Sequence, residues 1–450
     1  MLTAGRAAAE IHDAGPGGRG GAGDAGTRMT PFDLSVRMFL ALAVILVACR
    51  LAAAAFSRLG QPPVVAEMIA GVLLGPSFLG QIAPAASAWL FPAAAKPVLF
   101  ALAQLGLVLY MFLVGVEFDV GLVRRRLRSA AAVSAAGILV PFALGCAIAA
   151  AVAGDPRLFA PQATRSEAML FLGAAMSITA FPMLARIIVE NGIAGTALGT
   201  LALAAGSTDD VLAWCVLAIV LASFANDASI AVLAIGGSVA FALFVVVVAR
   251  RALAPVGRAV ERRGELDERT FAWLLALVLL AAWYTDAIRI YAVFGAFLAG
   301  TAMPRGLVSR TLVARVRPLS VGLLLPVFFT YSGLNTRIDM LDAPGLWLLA
   351  AGVLAAAVIG KGGACYLAAR ALGESHADAL AVGALMNARG LMELIILNIG
   401  LERGLLRPAL FAIMVAMAIV TTLAATPVFR RARAVAGDAG RGGGTAADRA

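Results

Sequence analysis

The chain has 450 residues, of which 62% are hydrophobic and only 14% charged, with a formal net charge of +10. Soluble domains carry about 45–50% apolar and about 25% charged residues, so this composition, with a mean hydropathy of +0.93, excludes a soluble globular protein. The excess charge then reads as arginines anchoring loops at the cytoplasmic face of a membrane, and nucleic acid is not an expected partner. Residues 1–33 are rich in Gly and Ala and lack the apolar core of a secretory signal, so a disordered tail is expected there, with Met29 as an alternative start. A membrane helix needs about 20 apolar residues. Dividing the rest at charged, Pro and Gly clusters gives thirteen such segments: 34–56, 61–80, 96–118, 129–153, 168–189, 195–224, 228–250, 269–285, 287–303, 318–334, 345–370, 377–400 and 408–429. Residues 431–450 are again Gly-, Ala- and Arg-rich; a disordered tail is expected, with no soluble domain after the membrane part.

Loop charge orients these segments. With the N-terminus outside, one side receives Arg58, Arg124, Arg125, Arg126, Arg128, Arg186, Arg250, Arg251, Arg258, Arg262, Arg263, Arg269, Arg305, Arg310, Arg315, Arg317, Arg370 and the arginines from Arg430 onward. The other side receives only Arg157, Arg165, Arg289, Arg337, Arg403 and Arg407. The ratio, 22 to 6, places the C-terminus in the cytoplasm. The cysteines, Cys49, Cys146, Cys215 and Cys365, stand singly in apolar segments and read as small core residues. The histidines, His12 and His376, fall in polar stretches, which leaves no histidine for a site at membrane depth.

An internal repeat is visible. AEMIAGVLLGP (66–76) and AVFGAFLAGTAMP (292–304) are each followed by an apolar segment with a similar exit, VLYMFLVGVEFDV (108–120) and LPVFFTYSGLNTRID (325–339). Seven spans separate equivalent positions, so the two halves have opposite orientations, the pattern of secondary transporters with an ion site between the repeats. The expected organisation is a first repeat over 34–226, a linker helix and cytoplasmic loop over 227–268, and a second repeat over 269–430.

Four places put polar chemistry at membrane depth, where an Asp or Lys costs roughly 2.5–3.5 kcal/mol. Asp209 and Asp210 sit midway along 195–224 and point about 100° apart on a helix. One is then expected to face a packed neighbour and the other a water-filled cavity. Desolvation favours the protonated acid and a nearby cation favours the carboxylate, so a carboxylate balanced between them can hold a proton or a metal cation. Lys361, in VIGKGGA, is a buried ammonium among small residues; Asp209 or Asp210 is its expected partner, in a pair that is structural or that breaks to release a proton. In SITAFPMLAR (177–186), Pro182 should break the helix around 179–181, freeing carbonyls and the Thr179 hydroxyl as cation ligands. Arg389 and Glu393, four residues apart with Gly390 between them, are expected to form a structural ion pair at a second break. Glu67 and Glu117 are expected near the interface.

GQPPVVAEMIAGVLLGP, FLVGVEFD, SITAFPMLARI, GSTDDVLAW, TDAIRIYAVFGAFLAGTAMP, FFTYSGLNTRID and NARGLMELIILNIG occur in order from about Gly60 to Gly400. Together they resemble the monovalent cation:proton antiporter superfamily (the sodium/hydrogen exchanger family), most closely its Kef-type and plant exchanger branch. The resemblance implies an all-α polytopic protein with thirteen transmembrane helices, inverted six-helix repeats and two discontinuous crossing helices, around Thr179 and around Arg389 to Glu393. It implies a dimerisation domain, hence a homodimer, and a core domain; the arginine- and alanine-rich composition suggests a GC-rich bacterial genome, so a bacterial cytoplasmic membrane is expected. Asp209 and Asp210 match the family's aspartate pair, the second as principal cation and proton carrier, and Lys361 matches the lysine paired with the first. Two aspartates, in place of Asn-Asp, resemble the electrogenic members. The C-terminal regulatory domain usual in Kef-type proteins and the long tail of the plant exchangers have no counterpart here.

The expected function is exchange of Na⁺ or K⁺ for protons by alternating access, with no cofactor and no enzymatic activity. The alternatives are a cation-sensing or channel-like protein and an organic-anion symporter; the adjacent aspartates argue against an anion.

Overall fold

The computed structural model describes residues 30–58, 61, 63–118, 127–225, 229–288, 291–334, 344–390, 393, 396–397, 400–401 and 404–442. The loop arginines Arg124, Arg125, Arg126, Arg289, Arg337 and Arg403, the first 29 residues, the last eight and the exits of both repeat strings (119–120 and 335–339) lie outside the described residues.

The described chain is α-helical throughout, apart from one isolated bridge between Phe159 and Leu406. The first helix, α1 (Pro31–Ser57), begins inside the stretch expected to be a tail. Pro31 opens it, and Thr30 and Asp33 form a capping box that satisfies its first amides. There follow α2 (Pro63–Leu74), α3 (Lys96–Glu117), α4 (Leu127–Val152), α5 (Arg165–Ser177), α6 (Phe181–Glu190), α7 (Ala197–Ala225) and α8 (Ser229–Phe244). A π-helical turn, Val245–Ala249, joins α8 to α9 (Arg250–Arg263), so a helix fills most of the region expected to be a cytoplasmic loop. Then come α10 (Glu268–Ala287), α11 (Ala292–Ala302), α12 (Leu307–Leu319), α13 (Leu325–Leu334), α14 (Pro344–Ala357), α15 (Ala364–Ala371), α16 (His376–Met386) and α17 (Pro408–Gly442). The last of these runs beyond residue 430, again where a tail was expected.

Among the described residues nine helices are long and apolar enough to cross a membrane, not the thirteen expected. The shortfall has physical causes. Four expected segments are not among the nine: 168–189 and 377–400 are interrupted, 287–303 yields a helix of only 11 residues, and 195–224 forms the 29-residue α7, whose second half lies partly outside the described side chains.

Two bodies emerge from the packing. In one, α2 lies against α1 and α13, while α3 lies against α11 and α13. In the other, α4 packs on α5, α7 and α15, and α17 packs on α14 and α16. The two strings of the sequence repeat thus cross each other's halves: α2 of the first meets α13 of the second, and α11 of the second meets α3 of the first. At the α3–α11 crossing the approach requires glycine. A Cβ on Gly115 would lie 2.1 Å from the Phe297 oxygen, and one on Gly300 would lie 2.3 Å from the Phe112 oxygen. These are backbone atoms with nowhere to go, the small-residue contact that replaces a hydrophobic drive in lipid. Gly300→Val is therefore expected to cost about 3 kcal/mol or more. A sharply reduced monodisperse fraction in size-exclusion chromatography checks it; a wild-type profile contradicts the crossing.

Candidate functional site

The centre of the second body is built by two interruptions. α5 stops at Ser177, Ile178 is extended, and α6 starts at Phe181 with Pro182 in its first turn, where a missing amide costs nothing. α16 stops at Met386, and Asn387 to Gly390 are not helical. The breaks touch. The Ala180 amide donates to the Ala388 carbonyl at 3.2 Å, and a Cβ on Gly390 would sit 3.4 Å from that of Ala180. Both breaks expected from sequence are present, and the crossing they form is now explicit.

Breaking α5 strands the carbonyls of its last turn in a dry interior, where each must find a donor. Three of them receive cationic side chains from the other half of the chain. Arg389 donates to Ala175 at 3.4 Å and to Met176 at 2.7 Å, and Lys361 donates to the Ser177 carbonyl. Positive charge at a helix C-terminus is also favoured by the helix dipole. Arg389 in turn pairs with Glu393 at 3.4 Å, the expected ion pair. Its backbone amide donates to Thr422 Oγ1 on α17 at 2.9 Å. The capping of α5 by Arg389 has no local signal in the sequence, because the contact spans more than 200 residues.

Lys361 and Asp209 are both 0% exposed and lie 3.1 Å apart, Nζ to Oδ2. The ammonium also donates to the Gly137 carbonyl at 2.8 Å, so its three protons have three acceptors. Lys361 lies in a π-helical segment, Val358–Gly363, between α14 and α15; such segments often mark functional sites. The glycines around it bring the neighbouring helix close: a Cβ on Gly383 would be 2.5 Å from the Gly362 oxygen.

Thr179 hydroxyl donates to the same Asp209 oxygen at 2.8 Å. Its proton is committed there, while its lone pairs stay available as ligands. Asp210, one residue on, is 3% exposed and has neither ion pair nor donor on Oδ1 among the described residues. The two carboxylates therefore divide as their 100° separation requires: Asp209 is held by Lys361 and Thr179, and Asp210 is left open. Thr179→Val keeps the shape and removes one donor from a buried carboxylate, an expected loss of about 1–3 kcal/mol. Thermal unfolding of the purified protein measures it; an unchanged midpoint contradicts the bond.

One acid differs from expectation. Glu67 is not near an interface but buried between the bodies, 3.6 Å from Arg186 on α6. Arg186 also pairs with Glu190 and lies over the Tyr110 ring, 6.0 Å from its centroid. Glu190 in turn accepts the Val64 amide at 3.3 Å. The other acid, Glu117, is a half-exposed partner of Arg317. Beside the buried cluster, Phe297 packs edge-on against Phe181 and Phe118, at centroid distances of 5.1 and 5.2 Å.

The sequence profile described as sodium/hydrogen exchanger, transmembrane, matches residues 42–431. The chain is 40% identical to the Na(+)/H(+) antiporter NhaS4 of Synechocystis over 388 residues, covering 86% of this chain and 94% of that protein. It is 36% identical to the Cation/H(+) antiporter 17 of Arabidopsis thaliana over 87% of its own length but 48% of the relative's, so it spans about half of that protein. The solved sodium proton antiporter MjNhaP1 from Methanocaldococcus jannaschii superposes with a TM-score of 0.61 at 16% identity, over 89% of this chain and all of that one. At that identity the likeness concerns the fold.

Proposed function

Since the chain belongs to the sodium/hydrogen exchanger family, we propose that Asp210 is the carboxylate at which a monovalent cation and a proton replace one another. The protein is a membrane secondary transporter coupling a monovalent cation to protons. The observation that carries the assignment is the unequal treatment of the two aspartates. Each has one oxygen without a donor, but Asp209 has a cation in Lys361 and a donor in Thr179, whereas Asp210 is buried with no ion pair among the described residues. A desolvated carboxylate in that condition binds whichever positive species arrives, a proton or a dehydrated Na⁺ or K⁺, and not both. Thr179 and the carbonyls at the breaks are its neighbouring oxygen ligands. Lys361 holds Asp209 in place and is the second group able to give up a proton; Arg389 and Glu393 hold the crossing together.

Thirteen crossings fit the fold. To the nine long helices are added α7, the short α11 and the two interrupted pairs. The crosswise packing of the repeat strings supports inverted repeats. The arginine distribution supports an outside N-terminus and an inside C-terminus in a bacterial cytoplasmic membrane. The body of α1 to α3 and α10 to α13 serves as the fixed frame and as the surface for pairing with a second copy, while the body holding Asp210 moves against it. The two bodies touch through α6, where Arg186 meets Glu67 and Phe181 packs on Phe297.

The assignment of function to one exchange reaction is tested by cation-dependent pH change in proteoliposomes, scanned over Li⁺, Na⁺, K⁺ and Rb⁺ with and without a membrane potential. Sustained, cation-dependent proton flux is expected. Cation binding without sustained flux would make the protein a sensor.

A further inference from the structure

The helix between the two repeats carries a feature that the exchange reaction does not use. α8, its π-helical turn and α9 continue one another from Ser229 to Arg263. Along α9, Arg250, Ala254, Arg258 and Arg262 recur at four-residue steps and so form one stripe. Together with Arg305 from the chain after α11, the stripe lines a cavity of about 770 Å³. Its carboxylate, Glu261, is already committed, accepting the Leu307 amide at 2.7 Å. Arg305 is committed as well, donating to the Val116 carbonyl at 2.6 Å and to that of Phe118. Arg250, Arg258 and Arg262 have no ion pair or hydrogen bond with any described residue. The cavity is therefore a concave surface with three free guanidinium groups, a fit for a phosphate, whose oxygens take the guanidinium fork two at a time.

The cavity shares Ala302 and Met303 with an apolar groove of about 530 Å³ that runs up the same helix between α8 and α10, lined by Phe241, Phe244, Val248, Leu277, Leu280 and Tyr284. The groove's lining on the long helix runs from Ala240 to Leu253. At 1.5 Å per residue that is about 20 Å, against about 15 Å for half of a 30 Å hydrocarbon core. A charged pocket at one end and an apolar channel of about one leaflet's depth at the other describe an amphiphile. We propose that this is a binding site for one anionic phospholipid, its phosphate among Arg250, Arg258 and Arg262 and one acyl chain in the groove. A free phosphate would use the pocket and leave the groove without purpose. Because the helix joins the two repeats, the lipid would brace the linker against α10 and α11.

The test uses the full chain, delipidated in detergent, with added phosphatidylglycerol, phosphatidylcholine or glycerol 3-phosphate, read by native mass spectrometry and by thermal unfolding. One phosphatidylglycerol should be retained per chain, at least ten times more strongly than phosphatidylcholine, and should raise the unfolding midpoint. The triple variant Arg250→Gln, Arg258→Gln, Arg262→Gln should unfold like the wild type without lipid and retain the two lipids equally. Equal retention of both lipids by the wild type overturns the proposal. So does a midpoint shift with glycerol 3-phosphate as large as with phosphatidylglycerol, which would make the pocket a site for soluble anions. A lipid-free dimer whose copies cross-link through Phe244 overturns it too, by assigning the groove to a second copy.

Discussion

Asp210→Asn is expected to reduce cation-dependent proton movement to the level of protein-free vesicles while leaving the fold intact. The two halves of that expectation come from one observation. Among the described residues Asp210 has no cationic partner and one oxygen without a donor, so its charge adds nothing to packing there and costs desolvation. Replacing it by the neutral amide of the same size leaves no partner stranded, and the unfolding midpoint should stay or rise. Transport must fail, because an amide neither takes up a proton nor balances the charge of a dehydrated cation. A structural aspartate would behave in the opposite way, losing stability while the folded fraction kept its flux. Measuring the midpoint and the flux on the same preparation separates the two.

Lys361→Met should do what Asp210→Asn does not, and unfold the core. The ammonium holds Asp209, Gly137 and Ser177 together at a fully buried point. Removing it leaves a buried carboxylate facing no cation and two carbonyls without donors. Breaking a buried pair in this one-sided way costs about 3–5 kcal/mol, a large share of a typical folding free energy of about 5–15 kcal/mol. Lys361→Met combined with Asp209→Asn removes both charges and should recover part of that loss, a coupling of about 0.5–3 kcal/mol in a double-mutant cycle. Additive losses would mean that the two groups do not sense each other, and the 3.1 Å contact would then be without energetic consequence.

Much of this site is legible in the sequence because lipid makes polar residues conspicuous. Lys361, Asp209, Asp210 and the Arg389–Glu393 pair stand out from apolar surroundings, and Pro182 and Gly390 mark the two breaks by backbone chemistry alone. What they join is less legible. That Arg389 caps α5, that Ala180 and Ala388 share a hydrogen bond, and that Glu67 meets Arg186 are long-range contacts with no periodic signature. The region after Arg250, where composition predicts a loop, is helical for a different reason. Its hydrophobicity stops at the membrane surface but its helix does not, since a helix needs backbone hydrogen bonds, not apolar side chains. The same reasoning extends α17 past residue 430, where composition changes and helix geometry continues. The short α11 is the reverse case, an apolar stretch whose helix covers only 11 of its 17 residues because Tyr291, at φ 152°, and the turn before Pro304 bound it.

Whether one carboxylate serves both ions is tested most directly by the dependence of transport on cation concentration at several pH values. Competition at Asp210 predicts that the cation KM rises as the pH falls, approaching about tenfold per pH unit on the acid side, while the rate at saturating cation is restored. A cation KM that stays constant while acid lowers only the saturating rate would contradict it, because the proton would then act at a group other than the one that binds the cation.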